Sequence, residues 1–110
     1  MMDISNLMGK VREAQQKMKE AQDNLENIRV TAESGAGLVR ATVSGQKKLI
    51  NLEIDRDLIN PDDAFMLKDL VIAAINKAME EADTRAKEEI RKSTEGLLPN
   101  IPGFNLGGLV

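Results

Sequence analysis

The chain has 110 residues, of which 42% are hydrophobic; its only aromatic residues are two Phe, and it has no Cys and no His. This composition excludes disulfides, zinc sites built on Cys or His, thiol nucleophiles and acid/base catalysis by imidazole. The formal net charge of −3 excludes a generally basic nucleic-acid binder, so any such activity must come from local basic patches.

The length fits one domain. The N-terminal residues lack the basic and apolar regions of a signal peptide, and no stretch approaches the roughly 18 to 20 apolar residues that span a bilayer. We therefore expect a soluble, cytoplasmic protein with no membrane contact. We expect one domain over residues 1–96, followed by an apolar tail over residues 97–110 that Gly and Pro interrupt. This tail is either frayed or docks in a groove of a dimer or a partner.

The first predicted element is a helix over about residues 3–27. Its apolar residues recur at alternating spacings of three and four, the heptad pattern of a helix that packs on another helix. These residues are Ile4, Leu7, Val11, Ala14, Met18, Ala21, Leu25 and Ile28. We expect their partner to be the long C-terminal helix, from the same chain or from a second copy.

Three predicted strands follow the first helix. Apolar and polar residues alternate over residues 28–33, 39–44 and 49–54, with Ile50, Leu52 and Ile54 on the apolar side of the third strand. Turns containing Gly separate the strands at residues 34–37 and 45–46. The pattern predicts a three-stranded antiparallel meander whose apolar face the helices cover. Its free edges can pair with a second copy.

The last predicted element is a long helix over residues 60–95. Asn60 is a good N-cap, Pro61 suits the first helical position, and Gly96 can end the helix. At about 1.5 Å per residue the helix would be on the order of 50 Å long, which exceeds a compact domain of this size. We expect its apolar first half to be buried and its charged second half to project. The fold class is therefore α+β.

Two segments resemble catalytic or ligand-binding motifs. Gly35-Ala36-Gly37 is similar to part of a phosphate loop, but it joins two strands, which favours a hairpin turn. Glu80, Glu81 and Asp83 could pair as carboxylates, although nearby cations favour a solvated helix face. No Ser has a base to activate it. We expect no enzyme activity, no cofactor, no metal and no small-molecule substrate.

Basic residues cluster in two helical segments, and each segment also contains two glutamates. The cations are Lys10, Arg12, Lys17 and Lys19 in the first helix and Arg85, Lys87, Arg91 and Lys92 in the last. Each segment has a local surplus of +2, which also suits an ordinary solvated face. A two-fold dimer would repeat each patch at a fixed separation on stiff helices, an arrangement suited to a rod-like polyanion.

Four stretches resemble the YbaB/EbfC family of bacterial nucleoid-associated proteins, and the similarity covers nearly the whole chain. They are Leu7-Met8 with Gln15-Gln16-Lys17-Met18, GAGLVRATV at residues 35–43, LEIDRDLINPDD at 52–63 and LKDLVIAAINKA at 67–78. The resemblance implies a small antiparallel sheet with flanking helices and a tweezer-like homodimer that binds DNA in the nucleoid.

The sequence thus predicts a homodimer that binds double-stranded DNA, mainly through phosphate contacts from the eight cations of the two helices. Such a protein would contribute to nucleoid organisation and gene regulation. The alternative is a protein-interaction adaptor that uses the last helix and the tail and binds little DNA.

Overall fold

The computed structural model describes residues 4–95. Helix α1 spans Ile4–Asn24 and continues into a 3-10 turn, Leu25–Asn27. Strands β1, β2 and β3 span Arg29–Ser34, Val39–Ser44 and Leu49–Ile54, and helix α2 spans Ala64–Thr94 after two more 3-10 turns, Arg56–Leu58 and Pro61–Asp63. The strands form one antiparallel sheet in the order β1-β2-β3, which confirms the predicted α+β fold. The tail predicted over residues 97–110 lies outside the described residues.

Helix α2 crosses the apolar face of the sheet through alanines spaced four residues apart. The residues with no exposed surface at this contact are Ala74, Ala78 and Ala82 of α2 and Val39, Ala41 and Val43 of β2. A methyl side chain lets the helix backbone approach the sheet closely, so the core between them is thin and made of small residues.

The predicted alternation in β3 holds for Leu52 and Ile54, which are half-buried, and is wrong at Ile50. Thr42 pairs with Asn51 and Val43 pairs with Leu49, so Ile50 is an extra residue in the ladder. This β-bulge shifts the alternation by one residue. Leu49 and Ile50 are consequently 44% and 48% exposed.

The N-terminus of α2 has the predicted cap, but its first turn is not α-helical. The Asn60 side chain accepts a hydrogen bond from the Asp63 backbone N–H at 3.1 Å, and residues 61–63 form a 3-10 turn. The α-helix therefore begins at Ala64, and its 31 residues make it about 46 Å long.

The second half of α2 leaves the sheet but does not project alone. Ala86 and Ile90 pack against Ala21 of α1 and Leu25 of the following 3-10 turn in a second apolar cluster. Because α1 reaches the sheet where α2 leaves it, the two helices run antiparallel. Their pairing accounts for the elongated shape of the molecule, 74 × 24 × 16 Å, and it shows that the heptad pattern has a partner in its own chain.

The expectation that the first half of α2 is buried is wrong for several of its apolar residues. Phe65 is 82% exposed, and Met66 and Ile72 are also exposed. The sheet covers only the face of α2 that carries Ala74, Ala78 and Ala82, so apolar residues on other faces stay in contact with solvent.

Candidate nucleic-acid interface

The eight cations predicted from the sequence lie on one structural unit, which we call the helical arm: α1 together with residues 83–94 of α2. All eight are exposed. The arm exists because the alanine-containing seam of α1 packs on the second half of α2. The structure therefore brings the two basic segments, more than sixty positions apart in the sequence, onto adjacent helices.

The four cations of α1 form two rows rather than one surface. Residues seven apart lie on the same side of a helix, so Lys10 and Lys17 form one row and Arg12 and Lys19 form another. Buried Ala14 marks the side of α1 that faces α2. By the helical period Lys10 and Lys17 lie beside Ala14, whereas Arg12 and Lys19 lie on the side of α1 turned away from it, so one straight duplex on one side of the arm cannot engage both rows.

The cations of α2 also form two rows. Arg85 and Lys92 are seven residues apart, and Lys87 and Arg91 are four apart, so each pair shares one side of the helix. Buried Ala86 lies between the two sides and faces α1. The arm therefore carries basic rows on both sides of its helix–helix seam.

Carboxylates in the arm pair with some of these cations at its surface. Glu88 contacts Arg91 at 3.7 Å and Lys92 at 3.9 Å, and Glu20 contacts Lys17 at 3.9 Å. Such exposed pairs contribute about 0 to 1 kcal/mol and are screened by salt, so they leave the cations available to a polyanion. Among residues 4–95, Lys10, Arg12 and Lys19 make no ion pair.

Arg85 ties the base of the arm to the sheet. Its Nη1 donates a hydrogen bond to the backbone carbonyl of Arg29 at 3.1 Å, at the start of β1. A guanidinium has five N–H donors, so this single bond leaves others free. Arg85 thus has a structural contact in addition to any contact with a ligand.

Two lysines that the sequence-based prediction omitted join the base of the arm. Lys47 and Lys48 occupy the turn between β2 and β3, and the Lys47 Nζ lies 2.8 Å from Oδ1 of Asp83. The other oxygen of Asp83 contacts the Lys87 Nζ at 3.1 Å. Hydrogen bonds from Lys47 and then Lys87 lower the pKa of the Asp83 carboxyl below its ordinary value of 3.8. The only signal for this site in the sequence is a pair of adjacent lysines in a turn.

In the segments that resembled catalytic or ligand-binding motifs, the glycines form a turn and Asp83 an ion pair, while Glu80 and Glu81 are exposed on a helix face, as predicted. Gly35, Ala36 and Gly37 adopt positive φ angles in the hairpin between β1 and β2, where no helix N-terminus follows to bind a phosphate. Asp83 is paired with two lysines. Across residues 4–95, no group of three or more acidic side chains is placed to hold a metal ion. Within the same residues, no helix is long and apolar enough to cross a bilayer.

The known proteins that this chain resembles include nucleoid-associated proteins and a crystal structure with the same fold. A nucleoid-associated protein of Bartonella bacilliformis is 42% identical over 106 residues, covering 96% of this chain and 97% of its own. A nucleoid-associated protein of Pelodictyon phaeoclathratiforme is 42% identical over 110 residues and 97% of both chains. A crystal structure of an uncharacterised Helicobacter pylori protein has the same fold, with a TM-score of 0.68 at 23% identity over 80% of this chain and 92% of its own. The family model described as the YbaB/EbfC DNA-binding family matches residues 1–97. The chain belongs to the YbaB/EbfC DNA-binding family.

Proposed function

We propose that this protein binds double-stranded DNA as a homodimer, mainly through phosphate contacts from the helical arm, and contributes to nucleoid organisation and gene regulation in the cytoplasm. It needs no cofactor and catalyses no reaction in this role. The observation that carries the proposal is the gathering of both basic segments on one stiff two-helix arm. Family membership supports DNA as the polyanion.

Phosphate contacts explain how an acidic chain can bind an acidic polymer. The cations lie on the arm, while the chain's net charge of −3 is a sum over all its residues. Each phosphate that the protein neutralises releases condensed counterions, which favours binding at low salt. If a dimer neutralises about six phosphates, log K should fall with log salt at a slope near −5.

The homodimer is supported by the apolar surface that a single chain leaves in water. Phe65 and Ile72 are seven residues apart on one side of α2, and both are exposed. Leu49 and Ile50 are exposed on β3, an edge strand whose outer hydrogen-bonding groups lack a partner strand in this sheet. Exposed apolar surface of this kind marks a protein contact. We assign both patches, the outer side of β3 and the exposed side of the first half of α2, to the dimer.

The dimer is tested by sedimentation velocity over a range of protein concentrations. Phe65→Asp with Ile72→Asp should convert the dimer to monomer, because a carboxylate cannot be buried unpaired in an apolar contact. Ile4→Asp with Met8→Asp changes two exposed apolar residues on α1, is the matched control and should remain dimeric. A monomer in this control and a dimer in the Phe65 and Ile72 variant would show that the dimer forms through α1.

DNA binding is tested by fluorescence anisotropy with a labelled duplex of about 30 base pairs at about 50 and about 200 mM salt. The two rows of α1 allow a comparison at equal charge. Lys10→Gln with Lys17→Gln removes one row, and Arg12→Gln with Lys19→Gln removes the other. We expect one pair to reduce the salt slope by roughly 2 per engaged protomer and the other pair to have little effect. Unchanged binding in both variants would show that α1 does not contact the phosphates.

The second candidate is the adaptor that uses the last helix and the tail, and part of α1 offers it a further surface because it packs on no other helix within residues 4–95. Ile4, Leu7 and Val11 continue the heptad seam beyond its contact with α2, and all three are exposed. An apolar row of this kind can dock a partner helix. If wild-type protein at tens of micromolar binds no duplex at about 50 mM salt, the adaptor becomes the better explanation.

A further inference from the structure

The turn between β2 and β3 carries a charge cluster that the predicted interface did not include. We call it the junction cluster: Lys47 and Lys48 of the turn with Asp83 and Lys87 of α2. It lies where the helical arm meets the sheet, because Lys87 belongs to the arm and Lys47 to the sheet. Three cations and one carboxylate give it a net charge of +2.

The turn that presents the two lysines is held in place by hydrogen bonds within the turn, from its backbone N–H groups to Ser44. The buried Ser44 hydroxyl accepts hydrogen bonds from the backbone N–H groups of Gln46 at 3.2 Å and Lys48 at 3.3 Å. The Lys47 N–H donates to the Ser44 carbonyl at 2.9 Å, and Lys47 has a φ of 64°. The lysines therefore extend from a defined backbone rather than from a loose loop, which lowers the ordering cost of binding.

The turn is also fixed to the end of α1. The Gly45 N–H donates to the Leu25 carbonyl at 2.9 Å and to the Ile28 carbonyl at 3.2 Å. A side chain at position 45 would approach the Leu25 carbonyl oxygen to 2.6 Å, so only glycine allows this contact. The position of the turn is consequently coupled to α1, α2 and the sheet together.

Pairing with Asp83 orients the lysines without using all of their donors. Each ammonium has three N–H donors, and the carboxylate engages Lys47 and Lys87 through different oxygens. The two ammonium groups are therefore held close together, with donors left over for another acceptor. Lys48 is exposed and makes no ion pair among residues 4–95.

The junction cluster extends one basic row of the arm. Lys87 and Arg91 share one side of α2, and Lys47 reaches the same side through Asp83. The row thus runs from the arm onto the edge of the sheet. Several cations along one side of the molecule suit the backbone of a duplex, which presents a phosphate at regular short intervals.

We propose that Lys47 and Lys48 bind phosphates of double-stranded DNA at the base of the arm, next to the phosphate contacts of Lys87. This inference rests on the proposed function and adds a site outside the two helices. The contacts of Lys47 and Lys48 meet the duplex where the arm joins the sheet. They therefore determine how closely the duplex can approach the sheet. Contacts of this kind carry no base specificity.

The test compares the salt dependence of DNA binding among variants of the full-length protein. Lys47→Gln with Lys48→Gln should lower the salt slope by roughly 1.8 for each protomer that engages the duplex and weaken binding at about 50 mM salt by about tenfold or more. Arg40→Gln with Arg56→Gln removes the same charge from exposed positions on β2 and in the 3-10 turn after β3, outside both the helical arm and the surface assigned to the dimer, and is the matched control. It should leave the slope unchanged.

A conservative pair tests whether charge or the lysine side chain itself is needed. Lys47→Arg with Lys48→Arg keeps both charges and should retain the wild-type salt slope, because the slope depends on the number of charges that contact phosphate. Since arginine can also pair with Asp83, an effect on folding is measured separately. Thermal unfolding of each variant, followed by circular dichroism, shows which variants are folded at the assay temperature. The slope is compared only among those.

The outcomes distinguish this proposal from the proposed function. If wild type binds DNA and the Lys47 and Lys48 variant has the same salt slope as the Arg40 and Arg56 control, the junction cluster does not contact phosphate, while DNA binding by the arm stands. If wild type does not bind DNA at low salt, the proposed function fails and this inference fails with it. A lower salt slope in the Lys47 and Lys48 variant, with an unchanged slope in the control, supports both the junction-cluster contacts and DNA binding by the arm.

Discussion

The contact between Gly45 and the end of α1 provides a quantitative test of the fold. In Gly45→Ala the new Cβ would lie 2.6 Å from the Leu25 carbonyl oxygen, 3.1 Å from the Leu25 Cβ and 3.2 Å from the Ile28 Cβ. The nearest atom belongs to the backbone, so a side-chain rotation cannot relieve the clash. The turn must move away and lengthen the two hydrogen bonds of the Gly45 N–H.

The cost can be worked out from these contacts. Overpacking at a buried site costs about 1 to 3 kcal/mol, and a weakened hydrogen bond about 1 kcal/mol more. We therefore expect Gly45→Ala to reduce the free energy of unfolding by about 2 to 4 kcal/mol. For a domain of this size that corresponds to a fall in Tm of about 10 to 20 °C, measured by circular dichroism or calorimetry.

Gly9→Ala is the matched control for this substitution. Gly9 lies inside α1, and a Cβ there meets nothing within 4 Å. Replacing glycine by alanine in a helix interior gains up to about 1 kcal/mol, so this variant should be as stable as wild type or more stable. Equal melting temperatures for Gly45→Ala and wild type would refute the close packing of the turn against residues 25–28.

Three further predictions test the core, the turn and the acid dependence. Ala78→Leu should lower the free energy of unfolding by about 1 to 3 kcal/mol or more, because Ala78 has no exposed surface against the sheet, while Ala73→Leu on the exposed side of α2 should have little effect in urea unfolding. Ser44→Ala should cost about 1 to 3 kcal/mol in the same assay, since it removes the acceptor for two backbone N–H groups at a buried site. Asp83→Asn should destabilise the protein at about pH 7 but not at about pH 2. Folding lowers the pKa of the Asp83 carboxyl, so the charged carboxylate contributes stability above its ordinary pKa of 3.8. This contribution is lost as the pH falls through the lower pKa of the folded state. A difference between Asp83→Asn and wild type that stays constant in urea unfolding across this range would contradict the pairing of Asp83 with its two lysines.

Local patterns were sufficient to predict the elements and their order. The alternation of residues 28–54 and the spacing of three and four in the two helices are properties of neighbouring residues, so they hold before any tertiary contact forms. The predicted N-cap at Asn60 has the same local origin, and its hydrogen bond to the Asp63 N–H is present. The family resemblance came from the order and spacing of such segments.

Two errors of the sequence-based prediction have a common cause. The bulge at Ile50 depends on how β2 and β3 align, and the exposure of Phe65 depends on which face of α2 meets the sheet. Hydrophobic residues indicate that some surface will be buried, but they do not specify which partner buries it. A single chain with exposed Phe65 and Ile50 has more apolar surface than its own sheet and helices can cover.

The candidate interface also contains some residues that the sequence predicted and others that only the structure placed near the arm. The eight cations of the arm were predicted from charge and helix placement, whereas Lys47 and Lys48, which we propose in addition, were not predicted because two lysines in a turn carry no periodic signal. Their relation to the arm follows from the Asp83 carboxylate, which is 36 positions from Lys47 in the sequence and 2.8 Å from its ammonium in space.

The sequence by itself determined the helices, the strands, the antiparallel order and the family, because backbone conformation and amphipathic period are set by residues close in the chain. Only the tertiary structure decided which part of the α1 seam finds a partner, where the sheet is bulged and which cations lie side by side. Those features are contacts between residues far apart in the chain, and they depend on strand register and on the points at which the helices leave the sheet.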